Sequence, residues 1–190
     1  MTWWGWLILG VILALTVLFV ALWQKASRLD RLHRRILSAR SRIDKSLVNR
    51  NVAVLKLAQM PQFSPESSGP LHARAVDALE LSGLPLVRDD LDPEDHPEAA
   101  LVDQRLLAES MVSREIRGQV ISGTVSSDPQ LRLQVDAVED AARRVALVRT
   151  LHNQDVLLAR ALRAQWMVRL FHLAGRAPTP DFIDLDDLVE

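Results

Sequence analysis

The side chains best suited to chemistry are two neighbours, His152 and Asn153, in a segment with helical spacing. His152 falls on the apolar stripe of that helix, so its imidazole is expected to face other helices. There it is expected to hydrogen-bond to Asp44, Asn49 or Asn51 of the first helix, as a structural histidine that fixes helix register. The alternative is a pH-sensitive contact or a contact with a partner, because imidazole titrates near neutral pH.

No other group of residues in the sequence is typical of an active site or a metal site. The five histidines lack the HxxxH and HxxEH spacings of zinc sites, and cysteine is absent. Segment 89–98 carries six acidic residues, but Pro93 interrupts it and the glycine of a calcium-binding loop is missing. Phosphate-binding and nucleophile-elbow motifs do not occur. The sequence therefore predicts a non-enzymatic protein with no cofactor, no metal and no evident small-molecule substrate.

The longest apolar stretch runs from Trp3 to Trp23, and no charged side chain precedes Lys25. At 1.5 Å per residue it would form about 30 Å of helix, which matches the hydrocarbon core of a bilayer. Tryptophans at both ends suit the membrane interface, because indole combines an apolar ring with a polar N–H. A signal peptide would have a basic segment before the apolar run and small residues at a cleavage site, and neither occurs. Residues 1–24 are therefore predicted to form one retained transmembrane anchor.

Basic side chains follow this anchor directly. Residues 25–50 contain nine Lys or Arg and two Asp, whereas no Lys or Arg precedes the anchor. The positive-inside rule predicts a single-pass protein of the inner membrane, with its N-terminus outside and its C-terminal domain in the cytoplasm. Lys25, Arg28 and Arg31 are expected to attract anionic lipid. Arg34 and Arg35 lie farther from the membrane, where they are expected to face solvent or to pair with acids of the domain or of a partner.

Apolar residues recur at threes and fours through most of the remaining chain, which predicts helices. The first helix is expected to continue from the anchor over 24–59, and the others to span 71–82, about 95–122, and 129–174. Loops are expected near 60–70, 83–97 and 123–128. The predicted buried stripe of the first helix is Leu29, Leu32, Ile36, Ala39, Ile43, Leu47, Val54 and Leu57. That of the third is Leu101, Leu107, Val112, Ile116 and Val120. That of the last is Leu131, Val135, Val138, Ala142, Val145, His152, Val156, Ala159, Trp166 and Leu170.

These helices predict an all-α fold. An N-terminal transmembrane helix would continue into an up-and-down antiparallel helical bundle over 25–175, with long first and last helices, followed by an acidic extended tail over 176–190. Two versions stay open. In a four-helix bundle the end of the last helix returns to the membrane, and in a three-helix bundle it points away.

The tail mixes apolar and acidic side chains, among them Asp184, Asp186 and Asp187. Such a segment is typical of a short docking motif, and it can equally pack on the basic face of its own domain. The net charge of the chain is only −1, so no overall field favours nucleic acid as a partner.

Two segments resemble the LemA-like membrane proteins of the actinobacterial type. They are RLDRLHRRILSARSRIDKSLVNRNVAVLKLA in the first helix and VEDAARRVALVRTLHNQDVLLARALR in the last. In that family the late helix is centred on an aromatic residue or histidine, then asparagine and, after two residues, valine, which here are His152, Asn153 and Val156. Tyrosine usually stands in the family where this chain has His152. The resemblance implies a helical bundle on a single anchor with its N-terminus outside, and it implies no catalytic residue.

These features predict a membrane-anchored, non-enzymatic helical scaffold or adaptor at the cytoplasmic face of the membrane. Its expected partners are membrane lipid and an unidentified protein or complex. The candidate interaction residues are His152, Asn153, Arg28, Arg31, Arg34, Arg35, Asp184, Asp186 and Asp187. An accessory subunit of a larger membrane enzyme or transport complex is the alternative, and an enzyme of unrecognised type that uses His152 is a third possibility.

Overall fold

The computed structural model describes residues 3–89, 98–121, 128–175 and 177–186. The α-helices in these residues are α1 (Trp3–Ala58), α2 (Pro65–Glu80), α3 (Ala99–Glu115), α4 (Pro129–Ala164) and α5 (Trp166–Leu170). A π-helical segment, Ile116–Ile121, continues α3. The described ranges contain no strand, so the predicted all-α fold is confirmed. Much of the predicted loops 83–97 and 123–128 lies outside the described residues.

Helix α1 joins the apolar N-terminal stretch to the bundle without a break, over 56 residues. No proline interrupts it, and its two glycines lie in the apolar part. The apolar stretch is exposed along its length, because no other described element packs against it. Of the helices that the structure describes, α1 alone is long and apolar enough to span a membrane, a property that a signal sequence near the N-terminus shares.

The rest of α1 and the whole of α4 form the long antiparallel pair of the bundle. Arg35 near the start of the bundle pairs with Asp155 near the end of α4. At the other end, the Ala53 carbonyl accepts a hydrogen bond from the Gln134 side chain. The two helices therefore run in opposite directions along a shared apolar face.

Both predicted stripes are confirmed within the bundle. Every predicted stripe position of α1 is buried, and so is every one of α4 as far as Ala159. The stripe prediction is wrong for Trp166 and Leu170, which are 69% and 61% exposed. The reason is that α4 ends at Ala164: Gln165 has an extended backbone with ψ 134°, so the following residues no longer follow the buried face of α4.

Helices α2 and α3 cover the half of the bundle farthest from the apolar stretch. Two ion pairs, Asp44 with Arg105 and Arg50 with Glu109, follow the same order along α1 and α3 and so make these helices parallel. With α2 running back between them and α4 antiparallel to α1, the topology is up-and-down. The predicted fold is therefore confirmed at the level of topology as well as class.

Two local predictions for these helices are wrong. Helix α2 begins at Pro65 rather than at Leu71, because proline fits the first turn, where its missing N–H loses no helical bond. Pro70 then removes one further bond, the one to the carbonyl of solvent-exposed Glu66. On α3, Leu107 was expected to be buried and is 61% exposed, because this helix turns polar side chains towards α1 instead.

The end of α4 returns to the start of the bundle, which is the four-helix version. Lys25 Nζ, just after the apolar stretch of α1, donates a hydrogen bond to Gln165 Oε1. From there residues 177–186, the tail segment, run back along α4. Ile183 and Leu185 are buried in a cluster with Ile43 of α1. The tail segment thus packs on α1 and α4, and its last described residue, Asp186, reaches α3.

Candidate functional site

Arg50 of α1 and Glu109 of α3 form an ion pair in the centre of the bundle. Arg50 Nη2 lies 2.6 Å from Glu109 Oε2, and the two side chains are 1% and 0% exposed. Arg50 also donates to Ser113 Oγ at 2.7 Å, and Asn51 Nδ2 donates to Glu109 Oε2 at 3.1 Å. These four residues are the polar network. Because its members bind one another in the interior, the network fixes α1 against α3 and presents no reactive group to solvent.

The polar network was not predicted, although its spacing carries a signal. Arg50 and Asn51 follow Leu47 by three and four residues, and Val54 follows Asn51 by three, so both polar residues occupy positions of the buried stripe. A charged residue at a stripe position is rare unless it has a partner. This pattern indicates that a buried partner exists, but it does not indicate that the partner is Glu109 on another helix.

A second ion pair joins α1 to the chain after α2 and to the tail segment. Arg40 Nη2 lies 2.5 Å from Asp89 Oδ2, with side chains 12% and 5% exposed. The same Asp89 carboxylate accepts the backbone N–H of Asp181. Asp89 therefore links three segments that are far apart in sequence.

His152 lies beside this linkage and is completely buried. Neither ring nitrogen has a hydrogen-bond partner among the described residues. Burial lowers the pKa of His152, and the charge of Arg40 lowers it further, against the opposing influence of the Asp181 carbonyl and of Asp89 and Asp155. The lowered pKa keeps this buried imidazole neutral at neutral pH.

The predicted hydrogen bonds of His152 to α1 are wrong. Asp44 pairs with Arg105, and Asn51 belongs to the polar network. Asn49 is exposed on the surface of α1. Position on a stripe correctly indicates that His152 is buried, but the partners it was expected to have are engaged elsewhere or face solvent.

Asn153 holds the tail segment by its backbone. Its Nδ2 donates to the Ile183 carbonyl at 3.0 Å, and its Oδ1 accepts the Ile183 N–H at 3.1 Å. A side-chain amide has one donor side and one acceptor side, so it matches an extended peptide group in the way that a neighbouring strand would. The structure thus places Asn153 opposite the tail, a pairing that the sequence did not reveal.

Two arginines of α4 hold the part of the tail segment that precedes this contact. Arg160 donates to the Pro180 carbonyl at 2.9 Å and to Asp181 Oδ1 at 2.8 Å, and its guanidinium lies over the ring of Phe182. Arg163 donates to the carbonyls of Ala177 and Pro178 at 2.7 and 2.9 Å. The tail is therefore bound largely through its backbone.

The three candidate aspartates of the tail differ in position. Asp186 pairs with Arg114 and Arg117, each at 2.9 Å. The hydrogen bond from Arg114 and the charge of Arg117 lower the pKa of the Asp186 carboxyl. Asp184 is exposed, and Asp187 lies outside the described residues. Of the two alternatives left open for the tail, the structure shows packing against the bundle.

The candidate arginines of α1 fall into two groups. Arg28 and Arg31 are exposed and have no ion pair with any residue of the described ranges. Arg34 pairs with Asp30 one turn away, at 2.6 Å on the surface, and Arg35 lies 3.4 Å from Asp155. Arg28 and Arg31 therefore face outwards just beyond the apolar stretch, whereas Arg34 and Arg35 lie against acidic residues of the same chain.

Replacing Asn153 with alanine is expected to loosen the tail segment. The N–H and C=O of buried Ile183 would lose their partners, which costs about 1–3 kcal/mol. Hydrogen–deuterium exchange of residues 177–186 is therefore expected to rise by about fivefold or more, the ratio that about 1 kcal/mol gives. The exposed neighbour offers a matched control, Gln154→Ala, which is expected to leave the exchange unchanged. Equal exchange in the Asn153 variant would show that the amide does not hold the tail.

The described residues contain no group of three or more histidines and acids arranged to hold a metal ion. Their polar clusters instead tie helices and tail together, through the polar network, the Arg40–Asp89 link and the contacts of Asn153. Comparison with protein-family models, with curated proteins and with solved structures found no match to this chain.

Proposed function

We propose that this protein is a membrane-anchored, non-enzymatic helical scaffold or adaptor with its bundle at the cytoplasmic face of the membrane. The observation that carries the proposal is the continuity of α1. One helix holds both the exposed apolar stretch and the segment against which α2, α4 and α5 pack, and to which α3 is joined by the Arg50–Glu109 ion pair. A helix shared in this way fixes the orientation of the bundle relative to the anchor, which suits a scaffold at a membrane.

The placement of charges supports the same function. Lys25, Arg28 and Arg31 follow the apolar stretch, where they suit the cytoplasmic leaflet. The buried ionisable groups are used to hold the bundle together, as in the polar network. The resemblance of α1 and α4 to LemA-like proteins is part of this proposal, since that family combines a single anchor with a helical bundle.

The membrane topology can be tested directly because the chain has no cysteine. We expect a Thr2→Cys variant to react with a membrane-impermeant maleimide on intact cells. A Thr150→Cys variant, at an exposed position of α4, is expected to react only after the membrane is permeabilised. If Thr150→Cys reacts on intact cells, the orientation is the opposite of the proposed one. If the chain is instead found shortened, soluble and without its Thr2→Cys label, the apolar stretch is a cleaved signal sequence.

An accessory subunit of a larger membrane complex is the second candidate function. Exposed leucines on the outer face of α4 favour it, since Leu147, Leu151 and Leu158 are 60%, 51% and 49% exposed. The size of the particle extracted in gentle detergent distinguishes the two functions. A large stoichiometric assembly supports the accessory subunit, and a particle that contains only this chain supports the scaffold.

A further inference from the structure

Helix α5 is held at the level where α1 leaves the apolar stretch. Gln165, which precedes α5, accepts the hydrogen bond from Lys25, only two residues after Trp23. Val168 of α5 is buried in a cluster with Leu29. With the apolar stretch in a bilayer, these contacts place α5 among the lipid headgroups.

The side of α5 that faces away from the bundle is apolar and aromatic. Trp166 and Leu170 lie one helical turn apart and are 69% and 61% exposed, and Phe171 is 41% exposed. In water this group would be an unfavourable apolar patch. At the headgroup level an indole and neighbouring apolar side chains are favoured, as in amphipathic segments that lie in the membrane interface.

A basic cavity adjoins this apolar group. It has a volume of about 780 Å³, and its lining includes Trp166, Arg163, Arg169 and His172. Among the described residues, Arg163 bonds only neutral carbonyl oxygens of the tail segment, and those bonds leave its positive charge uncompensated. Arg169 is exposed and has no ion pair with any of the described residues. The cavity therefore combines positive charge with apolar walls, which matches the phosphate and glycerol of a phospholipid.

We propose that α5 and this cavity form a second membrane contact, which binds the anionic headgroup of a phospholipid in the leaflet where α1 emerges. The proposal rests on the proposed membrane anchor. Continuity with that anchor argues for a lipid occupant, because the lipid surface reaches the cavity wherever the apolar stretch spans the bilayer. The basic lining then favours anionic over zwitterionic headgroups.

Tryptophan fluorescence of the full chain tests the contact, because four of the five tryptophans lie in the apolar stretch. In one variant Trp3, Trp4, Trp6 and Trp23 are changed to phenylalanine, so that only Trp166 remains. The protein is reconstituted into vesicles of phosphatidylcholine, alone or mixed with phosphatidylglycerol, that contain lipids brominated close to the headgroup. We expect quenching of Trp166, and stronger quenching with phosphatidylglycerol. Soluble inorganic phosphate at millimolar concentration is expected to leave the quenching unchanged.

Two companion chains separate failure of the anchor from failure of the contact. One keeps Trp23 alone and reports the anchor. The other has every native tryptophan changed to phenylalanine and carries Leu133→Trp, at an exposed site near the far end of the bundle, where no quenching is expected. Quenching of Trp23 without quenching of Trp166 would overturn the α5 contact and leave the anchor intact. Absence of quenching at both would overturn the anchor and the contact with it.

Charge selectivity is tested in the chain that keeps only Trp166. An Arg169→Gln substitution is expected to weaken the dependence on phosphatidylglycerol by about fivefold, the effect of one basic side chain near an anionic surface. Arg144→Gln, an exposed arginine of α4 away from α5, is the matched control and is expected to have no effect. Equal quenching in both lipid mixtures, or equal effects of the two arginine substitutions, would overturn the anionic headgroup site. Circular dichroism of each variant verifies that the helices are intact.

Discussion

Replacing Glu109 with alanine is expected to lower the free energy of unfolding of the bundle by about 3–5 kcal/mol. The substitution would remove the carboxylate that lies 2.6 Å from the Arg50 guanidinium, in a pair whose side chains are 1% and 0% exposed. Removing one partner of a buried ion pair is one of the most destabilising changes available to a helical bundle. Thermal unfolding of the full chain in mild detergent, followed by circular dichroism, is expected to show a melting temperature lower by roughly 10 °C.

Two variants define the origin of this loss. An Arg50→Met, Asn51→Leu, Glu109→Leu triple variant removes both charges and the buried amide that binds them. It is expected to recover most of the lost stability, because apolar residues replace buried ion pairs at little cost when no polar partner is left behind. Glu80→Ala, at an exposed position of α2, is expected to change stability by no more than about 0.5 kcal/mol. A Glu109→Ala protein as stable as the Glu80→Ala protein would show that water reaches Arg50 and that the network is not sealed.

The bundle is expected to lose stability as the pH falls below about 6.5, and His152 is expected to carry much of the loss. An unfolded histidine titrates near pH 6.5, whereas burial and the charge of Arg40 lower the pKa of His152 in the folded protein. Between the two pKa values the unfolded chain binds a proton that the folded chain excludes. The contribution of His152 to the free energy of unfolding is therefore at its maximum above about pH 6.5. Below that pH it falls by up to about 1.4 kcal/mol per pH unit, until the pH reaches the pKa of His152 in the folded protein.

The pH dependence of the melting temperature checks this expectation. His152→Phe is expected to flatten the profile below about pH 6.5, because the side chain no longer titrates. At neutral pH it is expected to cost little, since it removes two buried nitrogens that have no hydrogen-bond partner. The pKa of His33 is also lowered, chiefly by burial, so a smaller slope is expected to persist. His72→Phe, at an exposed position, is the control and is expected to leave the slope of melting temperature against pH unchanged. The same slope in the His152→Phe variant would show that His152 does not cause the loss of stability.

The parts of this fold that could be predicted are those that depend on the spacing of apolar residues along the chain. The stripes of α1 and of α4 up to Ala159 follow from apolar spacing, because one face of a long helix must be buried. The stretch before Lys25 is recognised by its length and its lack of charge, and the structure shows there a helix long and apolar enough to span a membrane. Spacing failed on α3, where Leu107 is exposed and Glu109 is buried, because the partner that stabilises Glu109 comes from another helix.

The candidate site depends more strongly on contacts between distant residues. Asn153 was identified as a polar side chain on an apolar helix, but its partner Ile183 lies 30 positions away in a segment without helical periodicity. The end of α4 at Ala164 has no glycine or proline to mark it. The chain leaves the helix at this point, and Val168 is then buried and Gln165 bonds Lys25. Local helix propensity does not indicate this break, because both contacts are with α1.

The unbroken path of α1 also gives the protein a defined reach. Beyond Trp23, α1 continues to Ala58, which amounts to about 50 Å of rigid rod at 1.5 Å per residue. A spanning helix leans by an average of about 20°, and its lean changes with bilayer thickness. A lean of that size at the base would carry the tip of the rod sideways by about 17 Å, the sine of the angle times the length. In a bilayer, α1 would therefore act as a lever that converts small differences in membrane thickness into large displacements of whatever is held at the far end of the bundle.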